Sequence, residues 1–186
     1  KLKIEIKKHY ESCVPLLDCI HDKAIDLYKK YLILGGMPSI IKDFINKNMK
    51  ITEVNFDIQE QIITSYLADM NKYTENSEGI KNSKIYNSIP KELARENNTF
   101  KYSLISSDAR KVRYESSLDW LLASNMIIKC NLTLKNESPL KAFINEDKFK
   151  LYLSDCGLLR ALSNIDYREI LLDKNIMYKG VLTENY

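Results

Sequence analysis

DARKVRYESSLDWLLASNMIIKCNLTL, residues 108–134, holds a change of hydrophobic period on which the fold turns. In its first half Tyr114, Leu118, Leu121 and Leu122 recur at three- and four-residue spacing, which predicts a helix from about Asp108 to Ser124 with one buried stripe. Ser106, Ser107 and Asp108 offer N-cap oxygens ahead of it. Tyr114 and Trp120 lie within packing reach of Leu118 and Leu121, so they read as core residues and not as base-stacking platforms. In the second half MIIKCNLTL (126–134) reads as a strand. FKLYL (149–153), beyond a polar stretch containing Pro139, reads as a second strand.

Working toward the N-terminus, a helix over 79–89 leads to Pro90, which suits the first turn of a following helix, PKELAREN, because that position needs no backbone donor. TFKYSLIS (99–106) then reads as a short strand. Helix, helix, short strand, helix, strand, loop, strand is the order of a winged helix-turn-helix. Residues 108–124 would take the recognition position and 126–153 the wing. Further out, Ile58, Ile62, Tyr66 and Met70 fall four apart in a helix over 56–73, widened by Ile63 and Leu67, and the polar run Asn71–Gly79 is the natural boundary. Leu16, Leu17, Ile20, Ala24, Leu27, Tyr28, Tyr31 and Leu32 mark a helix over 15–34 that ends at Gly35-Gly36, with Pro38 opposing its continuation. Another helix follows from about Ser39, with Ile40, Ile41, Phe44 and Ile45 as its apolar side. The expected fold class is therefore mainly α with a small β component (α+β): a helical segment over 1–78, then a winged helix over 79–155.

Apolar residues at 45% and charged residues at 28% fit a globular domain and not a disordered chain. The abundant Lys and Asn match an AT-rich coding bias and carry little functional weight. No apolar run is long enough to cross a membrane and no signal peptide is visible, so the reading is cytoplasmic, with no membrane partner. Both ends read as the interior of a larger protein. Cys13, Cys19, Cys130 and Cys156 have no metal-ligand spacing with each other or with His9 and His21, so they read as buried reduced thiols, with no metal expected.

Among the five glycines none stands in a P-loop pattern, and Gly35-Gly36-Met37-Pro38 reads as a helix stop. His9 and His21 belong to no triad, and His21 on or beside an apolar face reads as structural. Asp155 follows a strand, where it would cap the next segment. Glu184 is a carboxylate without visible partners for metal-dependent hydrolysis. The chain is thus expected to be non-catalytic, with no cofactor of its own. Its one suggestive feature is charge: residues 81–113 carry 8 basic and 3 acidic side chains, while the segments on either side are each at −1. Arg110, Lys111 and Arg113 open the recognition helix, Lys101 lies just before it, and Lys91 and Arg95 lie on the preceding helix. In a winged helix these cations would share one surface suited to the phosphates of duplex DNA, with the helix N-terminus adding its positive end. The alternative is interdomain docking onto acidic groups of a neighbouring domain or subunit.

The strings YLILGGMPSII (31–41), QEQIITSYLADMNKY (59–73), IPKELARENNTFKYSLI (89–105), DARKVRYESSLDWLLASNMI (108–127), FKLYLSDCGLL (149–159) and KGVLTENY (179–186) together resemble bacterial and archaeal AAA-type ATPases, in which a P-loop domain is followed by a C-terminal domain of unknown function. The resemblance spans nearly the whole chain. It implies an ATPase domain ahead of Lys1, with ATP and magnesium belonging to that absent domain. It also implies a winged helix in the middle, and the start of a truncated restriction-endonuclease-like domain over 156–186 with Glu184 on its first helix. The parent's own ATPase domain then joins duplex DNA and other subunits as an expected partner.

Overall fold

The computed structural model of the chain describes residues 1–74, 76–95, 99–107, 109–172 and 176–186, with backbone alone at 76 and 176–179. The helix of the opening stretch runs Lys111–Ala123 (α6 in chain order) and buries Tyr114, Ser117, Leu118 and Leu121. Its N-cap is Arg110, without a side-chain cap bond, and not Ser106 or Ser107. Asp108 lies outside the described residues. The strand after it is β1 (Ile127–Thr133), paired antiparallel with β2 (Ile144–Leu153) in register Ile127↔Leu153 through Asn131↔Phe149, with an irregularity at Asn131/Leu132. The pleat turns Phe149, Leu151 and Leu153 inward and leaves Ile128, Cys130 and Leu132 outside.

Before this unit stand α1 (Leu2–Ser12), α2 (Asp18–Leu34), α3 (Pro38–Asn46), α4 (Asp57–Lys72) and α5 (Asn76–Leu93). After it come α7 (Cys156–Leu162), α8 (Tyr167–Leu171) and α9 (Ile176–Asn185). The described chain is mainly helical with one two-stranded antiparallel sheet, an α+β composition. None of its described helices is long and apolar enough to cross a membrane.

Three local expectations are corrected. Pro90 does not open a new helix; it sits inside α5, which continues to Leu93. Ile85, Tyr86, Ile89 and Leu93 are all buried on one side of that helix, and burial at about 1.5–3 kcal/mol per large apolar side chain outweighs the lost backbone bond. Residues 99–106 form no strand: the Phe100 N–H donates to the Phe149 carbonyl at 2.8 Å, and the chain then turns through a 3-10 helix at Tyr102–Leu104. Only Cys156 of the four cysteines is buried. Cys13 ends α1 in a left-handed conformation, Cys19 lies on the outer side of α2, and Cys130 faces outward on β1.

One core draws Leu32 from α2, Met70 from α4, Ile89 from α5, Leu121 from α6, Leu151 from β2, Leu159 from α7 and Leu182 from α9. A smaller cluster of Ile33, Leu34, Ile40, Ile51 and Val54 fixes α3 to the end of α2. The buried line of α4 is Gln59, Ile63 and Met70, and Ile62, Tyr66 and Leu67 of the expected stripe pack half-buried against the same core. Along α2 only Leu32, Ile33 and Leu34 are buried. Leu17, Leu27 and Tyr31 stay exposed, as do Ile4 and Tyr10 on α1.

Candidate nucleic-acid interface

The start of α6 presents exposed Arg110, Lys111 and Arg113 beside backbone N–H groups that have no intrahelical acceptor. The Lys111 ammonium donates to the Asp147 carboxylate on β2 at 2.8 Å. That contact raises the Lys111 pKa above the usual lysine value and lowers that of Asp147 below the usual carboxylate range. It also places the helix start and the hairpin on one surface. Lys148, next to Asp147 in sequence, is exposed and lines a shallow pocket with Cys130 and Leu132.

Lys91, Arg95 and Lys101 gather around the end of α5. Lys91 and Lys101 are exposed. The Lys101 backbone N–H donates to Glu92 Oε1 at 3.4 Å, and burial pushes the Glu92 carboxyl up. Arg95 is half-buried with Nη1 enclosed, so it offers only part of its guanidinium to an outside partner. Tyr102 links the two groups of cations, with its ring 6.3 Å from that of Tyr114 on α6 and its hydroxyl pushed up chiefly by burial. As expected, Tyr114 is core and Trp120 packs half-buried against it.

A second polar cluster, largely missed in the sequence, lies where α2, α4 and α7 meet. Asp155 is the N-cap of α7 and accepts the Leu158 N–H at 2.8 Å, in keeping with its reading as a cap. Its other oxygen accepts the Gly36 N–H at 2.6 Å. Gln59 Nε2 donates to the Ile33 and Leu34 carbonyls, each at 3.0 Å. Arg160 donates to the Ile33 carbonyl at 3.2 Å, to the Ile165 carbonyl at 2.7 Å and to Gln59 Oε1. Its guanidinium carbon lies 4.8 Å from the Phe56 ring centre, and Phe56 stacks on Tyr167. Burial lowers the Arg160 pKa. Burial also pushes the Cys156 thiol up to about 12, so it is protonated and inert as a nucleophile at neutral pH. Gln59 was legible in principle, since it stands four residues before Ile63 and eleven before Met70, in helical phase with both.

Glu184 has partners: Lys150 is paired with it and the Tyr152 hydroxyl donates to it at 3.0 Å. Asn185 accepts the Leu153 N–H at 2.9 Å and donates to the Leu153 carbonyl at 3.0 Å, so its amide pairs with the edge of β2 as another strand would. His21 is exposed, with Nδ1 3.7 Å from Asp22, and is not packed on an apolar face.

A family model described as a domain of unknown function, DUF8612, matches residues 25–169. The chain belongs to the DUF8612 family. The matched DUF8612 region begins in α2 and ends in α8, so it takes in the Gly36–Asp155 contact, the Gln59–Arg160 network and the whole cationic surface. No curated protein and no solved structure matches the chain.

Proposed function

We propose that this chain is a non-catalytic module in which residues 79–155, with α5, α6 and the β1–β2 hairpin, act as a winged helix-turn-helix that meets duplex DNA through Arg110, Lys111, Arg113, Lys101, Lys91 and the exposed part of Arg95. The observation that carries the reading is the Lys111–Asp147 bond, which joins the basic start of α6 to the hairpin on one exposed surface. Phosphate contacts from such a surface give affinity with little sequence preference. On the resemblance of the strings quoted above, ATP and magnesium chemistry would belong to a separate P-loop domain, and residues 156–186 would open a restriction-endonuclease-like part.

Fluorescence anisotropy with a labelled duplex at several salt concentrations tests the proposal. With three phosphates engaged by the other cations while Asp147 holds Lys111, the slope of log affinity against log salt is expected at about −2.7. Absence of binding at low salt, or binding unchanged by Arg110→Ala with Arg113→Ala, would overturn it. A second reading, docking onto another domain or subunit, is favoured by the apolar side chains that α1 and α2 leave exposed and by Val112, 87% exposed between Lys111 and Arg113. Capture of a separately expressed P-loop domain, abolished by charge reversal at Arg110 and Arg113 and without DNA binding, would establish that reading instead.

A further inference from the structure

Along the outer face of α5 runs a groove of about 480 Å³, closed on its far side by the turn that carries Leu104 and Ile105. Lys84, Asn87 and Lys91 line it from α5. They stand three and four residues apart, so all lie on one helical face with the amide between the two ammonium groups. The two lysines are seven residues apart, about 10 Å along the axis, and their flexible stems let both reach an anion placed over Asn87. Among the described residues no carboxylate lines the groove, and neither lysine is held in a salt bridge. Ile80, Leu104 and Ile105 supply apolar walls. The volume falls in the range of small-molecule sites, and polar side chains make up most of the lining, as suits an anionic ligand with a small apolar part.

From this arrangement we infer that the α5 groove binds a small organic phosphate, its anionic head between Lys84, Asn87 and Lys91 and its apolar body against Ile80, Leu104 and Ile105. A phosphate monoester has three terminal oxygens to share among two ammonium groups and an amide, one more than a carboxylate offers. The inference does not rest on DNA binding: of the residues named, only Lys91 belongs also to the proposed DNA surface.

The test is an amide-resolved NMR titration of the chain with adenosine 5′-monophosphate, inorganic phosphate and adenosine. The monophosphate is expected to shift signals over residues 80–91 and 104–105 saturably, phosphate more weakly, and adenosine not at all. Lys84→Ala with Asn87→Ala, both exposed positions, should weaken the monophosphate by about tenfold or more while leaving thermal unfolding and DNA anisotropy unchanged. Ile80→Ala should weaken the monophosphate more than it weakens phosphate. No saturable shift at millimolar monophosphate, equal binding of adenosine, or binding indifferent to the Lys84/Asn87 pair would each overturn the inference.

Discussion

The backbone N–H of Gly36 donates to the carboxylate of Asp155 at 2.6 Å, joining positions 119 residues apart. Gly35 beside it has φ +69°, and a Cβ built there would lie 2.1 Å from Asp155 Oδ1. Across the same junction a Cβ on Gly157 would lie 2.4 Å from the Leu34 carbonyl oxygen. The end of α2 and the start of α7 therefore meet through three glycines and one carboxylate. Gly35→Ala adds both backbone strain and a clash and should cost about 2–4 kcal/mol. Gly36→Ala, whose Cβ would sit at 3.8 Å from Asp155, should cost far less. Asp155→Ala leaves the Gly36 and Leu158 N–H groups without their acceptor, at about 1–3 kcal/mol each. Urea denaturation of the three variants checks the ranking; equal losses for Gly35→Ala and Gly36→Ala would refute the close-approach explanation.

Gln59 and Arg160 satisfy each other and three backbone carbonyls in a buried site. Removing one partner leaves the other's buried groups unpaired, so Gln59→Ala and Arg160→Ala should each destabilise by about 2–4 kcal/mol. The double variant should cost less than the sum, because the second removal strands fewer groups. Arg160→Lys should also be destabilising, since an ammonium cannot hold the same planar set of bonds over Phe56. Additive single losses in a double-mutant cycle would mean that the pair is not coupled.

Much of the path of the chain was legible because burial follows period. The helix Lys111–Ala123, both strands and the stop at Gly35-Gly36 all follow from local spacing and turn chemistry. Pro90 and the 99–106 segment misled because their outcome depends on what packs against them: a buried face carries α5 past the proline, and the Phe149 carbonyl takes a single bond from Phe100. The polar partners were the least legible. Nothing near Asp155 in sequence names Gly36, and nothing near Lys111 names Asp147; those pairs exist only after the helices have packed. The six cations could be read as a group from their charge, but the half-burial of Arg95 and the pairing of Lys111 could not.

Glu92 is buried, and desolvation pushes its carboxyl above the ordinary glutamate value. Between the ordinary and the raised pKa the folded chain holds a proton that the unfolded chain has released. This group's contribution to stability therefore grows as pH falls through that window and is lost as pH rises through the raised pKa. Glu92→Gln removes the ionisation while keeping an oxygen for the Lys101 N–H. The variant should be more stable than the parent at neutral pH, and the difference should shrink toward about pH 4. Chemical denaturation across that range measures it, and a variant less stable at neutral pH would mean that the carboxylate is favourably placed.

Asp147 neutralises Lys111 on the surface proposed to meet DNA. A phosphate must compete with that carboxylate for the ammonium, and Asp147 itself repels the backbone of a duplex. Asp147→Asn should therefore tighten duplex binding and steepen the salt dependence by about 0.9 as one more cation becomes available. Both partners are exposed, so the change should leave folding stability nearly unaltered. Lys111→Ala in the Asp147→Asn background should remove the extra slope, while repulsion relieved by the neutral Asn would leave part of the gain in affinity. If the surface instead docks onto protein, Asp147→Asn leaves duplex anisotropy flat at every salt concentration. Parallel titrations of the parent, the single variant and the double variant thus separate the Lys111 contribution from general charge.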